Sequence, residues 1–337
     1  MELVFMVAGF MFAAYSVVAN DVIQTLGTFL SSNRERPWWI LSIYTGGILS
    51  VVLVYGWLHY NGDVSYGRLS SKGLGELPSP FYWWYMLPPL VLLIITRYGI
   101  PVSTTFLILS IFSISSDESI QGNAVDILIS IFSGKSTIGK MLSKSILGYI
   151  VAFGAAIVLY FLIAKKVEKY FLDHKYLKAD NKWVVMQWFS TGFLWSQWLI
   201  QDLANIYVFL PRELPLAYLI FSLVLILSLI CYIFYNKGGS IQKIVTSKTN
   251  TTDIRSATII DFIYGIILLI FKEMSNIPMS TTWVFVGLLA GREFAISYQL
   301  NIQSFASVFQ LVLRDLAKIM LGLVVSILLV LLISMLQ

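Results

Sequence analysis

Residues 100–106 read Ile-Pro-Val-Ser-Thr-Thr-Phe, and residues 277–283 read Ile-Pro-Met-Ser-Thr-Thr-Trp. The two copies lie 177 residues apart, each in apolar surroundings. Upstream of each, an apolar segment carries an acid followed three residues later by an amide: Asp21 and Gln24, then Asp202 and Asn205. The two acids lie 181 residues apart, so the offsets agree and one unit has been duplicated. Duplicated halves whose apolar segments are interrupted by polar groups point to a secondary transporter, with its substrate held at the interruptions.

Composition places the chain in a bilayer. Of its 337 residues, 58% are hydrophobic and 12% charged, about half the charged share of a soluble domain. No water-soluble fold of this length hides so much apolar surface. Apolar runs recur at Trp38–Leu58, Ser145–Ala164, Ala217–Tyr235 and Ile319–Leu336. Each reaches the roughly 20 residues that span a hydrocarbon core as a helix. The alternation of a transmembrane barrel, in segments of about ten residues, is not present. The expectation is an all-α polytopic membrane protein, multi-pass in the cell (inner) membrane, built from two inverted structural repeats with broken helices or re-entrant hairpins. Met1-Glu2-Leu3 lacks a basic leader and no small-residue cleavage site follows, so the first apolar stretch is expected to remain as a helix.

Most of the lysines sit in loops. The net charge of +5 therefore implies no nucleic-acid partner. Residues 165–182 hold six Lys against three acids, and 237–255 hold three Lys and one Arg against one Asp. The loops at 59–80 and 211–214 are poorer in basic residues, so the positive-inside rule makes the two Lys-rich segments cytoplasmic. The lone Cys231 sits in an apolar run and reads as a lipid-facing or packed small hydrophobe.

Repeat one is expected over residues 1–164, a basic cytoplasmic connector over 165–182 and repeat two over 183–337. Each half repeats one order. An apolar segment broken by the Asp motif comes first, then a helix (38–58; 215–236), a polar loop (59–80; 237–255) and a third helix (81–97; 256–272). The Ser-Thr-Thr region follows, with polar interruptions at Ser115–Asn123 and Gly291–Gln303, and a long helix closes each half (139–165; 309–336). Lys144 and Lys318 each stand three residues before a Leu-Gly pair in these last helices. An odd number of crossings per half would invert the halves and put loop 59–80 outside, provided 98–134 makes one net crossing.

In the motifs, Pro cannot continue a helix from upstream, and Ser and Thr are favoured N-caps. Each Ser-Thr-Thr therefore reads as a capped helix start at membrane depth. Its free N–H groups and positive dipole end suit an anion without any formal charge. The hydroxyls of Ser103, Thr104, Thr105, Ser280, Thr281 and Thr282 add donors, with Gln24 and Asn205 beside them. The plainer alternative is a capped, buried helix without a ligand.

An Asp within an apolar segment is costly unless paired or hydrated, and is a functional site by default. The spacing of three puts Asp21 with Gln24, and Asp202 with Asn205, on one helical face. Asn20 and Gln201 directly precede the acids. Together Asn20, Asp21, Gln24, Gln201, Asp202 and Asn205 offer hard oxygen ligands for Na⁺, or a carboxyl that carries H⁺. A purely structural hydrogen-bond network is the alternative.

Other charges read more plainly. Lys140, Lys144, Arg314, Asp315 and Lys318 are expected to snorkel. Arg292-Glu293 is expected at a hairpin tip or as a local ion pair, and Asp261 toward the bundle interior. Phe81-Tyr-Trp-Trp-Tyr reads as an interfacial belt. His59 and His174, both expected in loops, argue against imidazole catalysis. Gly134-Lys-Ser-Thr resembles the tail of a P-loop, but Ile129 stands where its first glycine belongs. An ion gradient is the expected energy source.

The stretch Ala19-Asn20-Asp21-Val22 through Gly27-Thr28 resembles the Ala-Asn-Asp-x-x-Asn…Gly-Thr signature of the inorganic phosphate transporter (PiT) family, which also includes sulfate permeases. The two Ile-Pro-x-Ser-Thr-Thr segments are similar to that family's paired Pro-Val-Ser-[Ser/Thr]-Thr segments. The resemblance implies an inverted-repeat fold, a coupling Na⁺ at Asp21 and at Asp202 with their amide partners, and an oxyanion on the Ser-Thr-Thr segments. The chain departs from the pattern at Phe106 and Trp283, where the family has His. It departs also at Gln24 and Gln201, where Asn is usual, and in the run Leu-Ala-Asn-Ile-Tyr after Asp202.

The expected function is cation-coupled symport of an inorganic tetrahedral oxyanion by alternating access. Phosphate is the first choice and sulfate the alternative, with Na⁺ or H⁺ as coupling ion and no further cofactor. A passive anion channel, a sensor and a membrane-embedded phosphotransfer enzyme are the readings from other classes. A homodimer fits the commonest closed symmetry.

Overall fold

A computed structural model describes residues 1–114, 123–174, 179–274 and 280–336. The chain is an all-helical, multi-pass membrane protein. No strand occurs among the described residues. Six helical stretches there are long and apolar enough to cross a bilayer: Glu2–Ser32, Trp38–His59, Ala124–Asp173, Leu216–Tyr235, Ile254–Phe271 and Phe305–Ser334. Large apolar side chains such as Ile43, Val51, Leu58, Val158, Leu162 and Leu328 stay exposed on them. That surface is stable only against lipid.

The first half starts with α1 (Glu2–Val17), a π-helical turn (Val18–Val22) and α2 (Ile23–Ser32). Then come α3 (Trp38–His59), α4 (Leu87–Arg97), a second π-helical turn (Thr105–Leu109) running into α5 (Ser110–Ile114), α6 (Ala124–Phe132) and α7 (Thr137–Ile163). The connector begins with a third π-helical turn (Ala164–Glu168) and α8 (Lys169–Asp173). The second half has α9 (Asn181–Tyr207), α10 (Leu216–Tyr235), a short α11 (Gln242–Thr246), α12 (Ile254–Met274), α13 (Thr281–Leu300) and α14 (Phe305–Ser334). The expected interruption at Ser115–Asn123 falls, but for Asn123, outside the described residues, as do Ile277–Met279 of the second motif and residues 175–178 of the connector.

Packing between the halves is reciprocal. α1 lies on α4 as α9 lies on α12, and α1 meets α10 as α9 meets α3. The helix that follows each Ser-Thr-Thr packs on the last helix of the opposite half: α5 on α14, and α13 on α7. α3 and α10 run antiparallel. Trp38 stacks edge-on against Tyr235 at 5.6 Å, Gly46 faces Leu227, and the Trp57 indole N–H donates to the Leu214 carbonyl at 2.7 Å.

The closest packing has a sequence cause. Gly287 and Gly291 sit one turn apart on α13. A Cβ on Gly287 would lie 2.6 Å from the Tyr149 carbonyl oxygen of α7, and one on Gly291 2.2 Å from that of Phe153. Ala152 and Ala156 are fully buried on α7. Small residues four apart on both helices let the backbones approach, the usual device where hydrophobicity drives no helix association.

Several local expectations are corrected. The second Asp motif breaks nothing: α9 runs unbroken through Asp202, and only the first motif distorts its helix, as a π turn. The interruption expected at Gly291–Gln303 shrinks to Asn301–Ser304, because α13 stays helical to Leu300 and Asn301 turns the chain at φ 52°. Arg292 and Glu293 are therefore not a hairpin tip. They form an ion pair at 3.2 Å, mid-helix and buried, and Arg292 also pairs with Glu168 at 2.9 Å. The guanidinium donates to Ser256 Oγ and the Thr249 carbonyl as well, so α13, α12 and the connector are tied at one buried knot. Asp315 does not snorkel; it is buried in an ion pair with Lys248. His59 ends α3 rather than lying in a loop. Of the aromatic run, only Tyr82 and Trp83 are exposed; Phe81, Trp84 and Tyr85 are buried.

Candidate functional site

Ser103 and Ser280 start the two motif helices. Ser103 Oγ accepts the Phe106 N–H at 3.2 Å, and Ser280 Oγ accepts the Trp283 N–H at 3.3 Å. The serines are thus spent as N-caps, the preferred chemistry at a helix start. The first helical residues behind them are the threonines, whose N–H groups lie among the four that an α-helix leaves without an internal acceptor.

The first threonine of each copy reaches the acid of its own half. Thr104 Oγ1 donates to Asp21 Oδ2 at 2.5 Å, and Thr281 Oγ1 donates to Asp202 Oδ2 at 2.7 Å. The two halves repeat the same bond. They are then joined by Asn205, whose Nδ2 donates to Asp202 Oδ1 at 3.1 Å, to Thr104 Oγ1 at 2.9 Å and to Thr105 Oγ1 at 3.3 Å. Asp21, Thr104, Asn205, Asp202 and Thr281 form one hydrogen-bonded chain from the first acid to the second motif. All five side chains are nearly inaccessible to solvent.

The remaining amides divide. Asn20 Nδ2 donates to Asp21 Oδ1 and to the Val102 carbonyl, both at 2.7 Å. Gln24 Nε2 donates to Asn20 Oδ1 at 3.0 Å, which leaves Gln24 Oε1 buried without a hydrogen-bond partner. Gln201 turns away and donates to the Leu268 carbonyl at 2.8 Å, so it joins α9 to α12 rather than facing the acids. Thr282 reaches across to the Val102 carbonyl at 3.3 Å. The structure thus brings Asn20, Asp21, Gln24, Asp202, Asn205 and all six motif hydroxyl residues to one buried region, and directs Gln201 elsewhere.

The backbone explains how two acids fit here. Among the described residues no Lys or Arg forms an ion pair with Asp21. Asp21 accepts from the Thr104 hydroxyl and the Asn20 amide, and Asp202 from the Thr281 hydroxyl and the Asn205 amide. The π turn at Val18–Val22 widens α1 around Asp21, and such bulges free backbone groups at functional sites. Phe106 and Trp283 meet with ring centroids 6.4 Å apart, so matched positions of the two copies converge.

Two features escaped the sequence reading. Ser145 on α7 accepts the Ser280 N–H at 2.8 Å and so positions the second motif. Tyr264 on α12 donates to the Thr281 carbonyl at 3.0 Å. Both lie in apolar runs with no motif around them. Asp261 was expected to face the interior, and it does, but its donors Thr28, Thr191 and Gln187 come from two other helices. Pairings of that range leave no local sequence signal.

No protein-family model matches the chain, and no curated protein sequence matches it. A solved structure described as "The sodium-dependent phosphate transporter" has a similar fold, with a TM-score of 0.55 at 18% sequence identity. The alignment covers 98% of this chain and 96% of that one. At that identity the likeness is one of fold, and it extends over the whole chain.

Proposed function

We propose that this protein is a secondary transporter that carries an inorganic tetrahedral oxyanion, phosphate first, in symport with Na⁺ by alternating access across the cell membrane. The observation that carries the reading is the hydrogen-bonded chain joining the two duplicated motifs, buried at the interface of the halves. The fold shared with a sodium-dependent phosphate transporter supports it. The halves, 1–164 and 183–337 around the connector, act as inverted repeats. The antiparallel pairing of α3 with α10, which hold matching places in the two halves, supports that arrangement.

Roles follow from the chemistry. Asp21 and Asp202 take the cations. Their amide neighbours Asn20, Gln24 and Asn205 add carbonyl oxygens, and the unsatisfied Gln24 Oε1 is already turned into the protein. Gln201 serves as a packing group. The oxyanion sits against the helix starts, where Ser103, Thr104, Thr105, Ser280, Thr281 and Thr282 present hydroxyl and backbone donors. Thr104 and Thr281 donate hydrogen bonds to the carboxylates. A bound Na⁺ satisfies the carboxylates instead and frees both hydroxyls for the anion, so cation binding prepares the anion site. That order couples the two ions.

Uptake into proteoliposomes tests the reading. Radiolabelled phosphate and sulfate are compared with an inward Na⁺ gradient, an inward H⁺ gradient or neither. Phosphate accumulation above equilibrium with Na⁺ alone is expected. Sulfate accumulation would reassign the substrate, and accumulation of neither would overturn the oxyanion reading.

A further inference from the structure

A cavity of about 330 Å³ opens where the ends of α2 and α10 meet the start of α3. Its floor is mostly apolar: Leu30, Leu41 and Phe234 line it and are buried, beside Ser31 and Gln242. Its mouth is basic, lined by Arg34, Arg36 and Lys237, all exposed. Trp38 and Tyr235 flank it, both exposed and in edge-on contact.

These features locate it relative to the bilayer. Trp and Tyr at the ends of spanning helices sit at the headgroup level, and Trp38 begins α3 while Tyr235 ends α10. The cavity therefore opens at the membrane interface, on the side that carries the Lys-rich 237–255 segment. Arg36 is partly committed: its Nε donates to Asn33 Oδ1 at 3.1 Å and its guanidinium covers the Trp188 ring. Arg34 and Lys237 form no ion pair among the described residues. Glu35, the acid between the two arginines, is not among the lining residues.

We propose that this cavity binds an anionic glycerophospholipid, with its headgroup phosphate between Arg34 and Lys237 and the start of an acyl chain on Leu30, Leu41 and Phe234. Charge complementarity selects the occupant. Two unpaired cations over an apolar floor at headgroup depth match a phosphate joined to a hydrocarbon, and basic pockets between helices at this level suit anionic headgroups. A free phosphate ion would use the cations but leave the apolar floor bare. The lipid would also brace α3 against α10. The site is separate from the buried Ser-Thr-Thr region and does not depend on its substrate.

Native mass spectrometry of the purified protein, titrated with phosphatidylglycerol or with phosphatidylcholine of the same chains, tests this. Tighter binding of phosphatidylglycerol is expected. Arg34→Gln and Lys237→Gln should each weaken it by roughly fivefold, the electrostatic attraction of one basic side chain near an anionic surface. Both side chains are exposed, so folding is preserved, and the charge-keeping pair Arg34→Lys with Lys237→Arg should retain the preference. Equal binding of the two lipids, or unchanged preference in the Arg34→Gln/Lys237→Gln protein, would overturn the proposal. So would displacement of the lipid by millimolar inorganic phosphate, which would make this a free-ion site.

Discussion

At the residue scale, the same side chain can be read for its type in the sequence but for its partner only in the structure. Thr104 is the sharpest case. The sequence presents it as one hydroxyl among six; the structure makes it the link that donates to Asp21 and accepts from Asn205 of the other half. Thr104→Val keeps the shape and removes the link. A hydrogen bond to a charged group contributes about 1.5–3 kcal/mol, so thermal unfolding in detergent should shift downward. Na⁺, expected to satisfy the same carboxylate, should raise the melting temperature of the variant more than that of wild type. A variant with unchanged stability and Na⁺ response would show that the link carries nothing. Arg292 makes a second case. Removing one partner of a buried ion pair leaves an uncompensated charge, at about 3–5 kcal/mol. Arg292→Met should therefore lower the melting temperature sharply, and Arg292→Met with Glu168→Gln should recover part of the loss. The sequence left Arg292 at a hairpin tip or in a local ion pair with Glu293, and the structure shows the ion pair. The partners that make it tolerable, Glu168 and Ser256, are 124 and 36 residues away.

Elements were legible wherever apolar length and punctuation act alone. Pro37 and Pro215 stand before α3 and α10, whose predicted bounds lie within a residue or two of the observed ones. Ser103 and Ser280 cap helices as their residue type favours. What composition could not settle was continuity. The Asp motif suggested a broken helix in both halves. Yet Asp202 finds acceptable partners within an intact α9, and only Asp21 needs the π turn. Likewise, Arg292 and Glu293 looked like a break but pair within α13. One packing signal was visible and went unread: Gly287 and Gly291, four apart, mark the face that α7 approaches. Gly291→Leu would drive a side chain into the Phe153 carbonyl, where a Cβ alone lies 2.2 Å away. Overpacking of this kind costs about 1–3 kcal/mol, and separation of α13 from α7 would add to it. A melting temperature equal to wild type would contradict the close approach.

At the scale of the whole molecule, duplication was the strongest signal, because two motifs at matched offsets are hard to produce otherwise. The reciprocal exchange, in which α5 packs on α14 and α13 on α7, was not readable, since no sequence pattern names a partner in the opposite half. Inversion of the halves makes a direct prediction about sidedness. Loops 59–80 and 237–255 should lie on opposite sides of the membrane. Ser71 and Lys243 are exposed in these loops. Cysteines placed there one at a time, with the exposed Cys231 replaced by Ser, should label from opposite sides with an impermeant maleimide. Labelling from the same side would remove the inverted arrangement.

The central claim is that both copies of the motif serve one coupled site. It is tested most directly by Na⁺-driven phosphate uptake in proteoliposomes of wild type, Asp21→Asn and Asp202→Asn. Each substitution keeps the side-chain shape and removes one charge. The account predicts accumulation above equilibrium in wild type and its loss in both variants, because each half supplies an indispensable carboxylate. Accumulation at the wild-type level in either variant would contradict it.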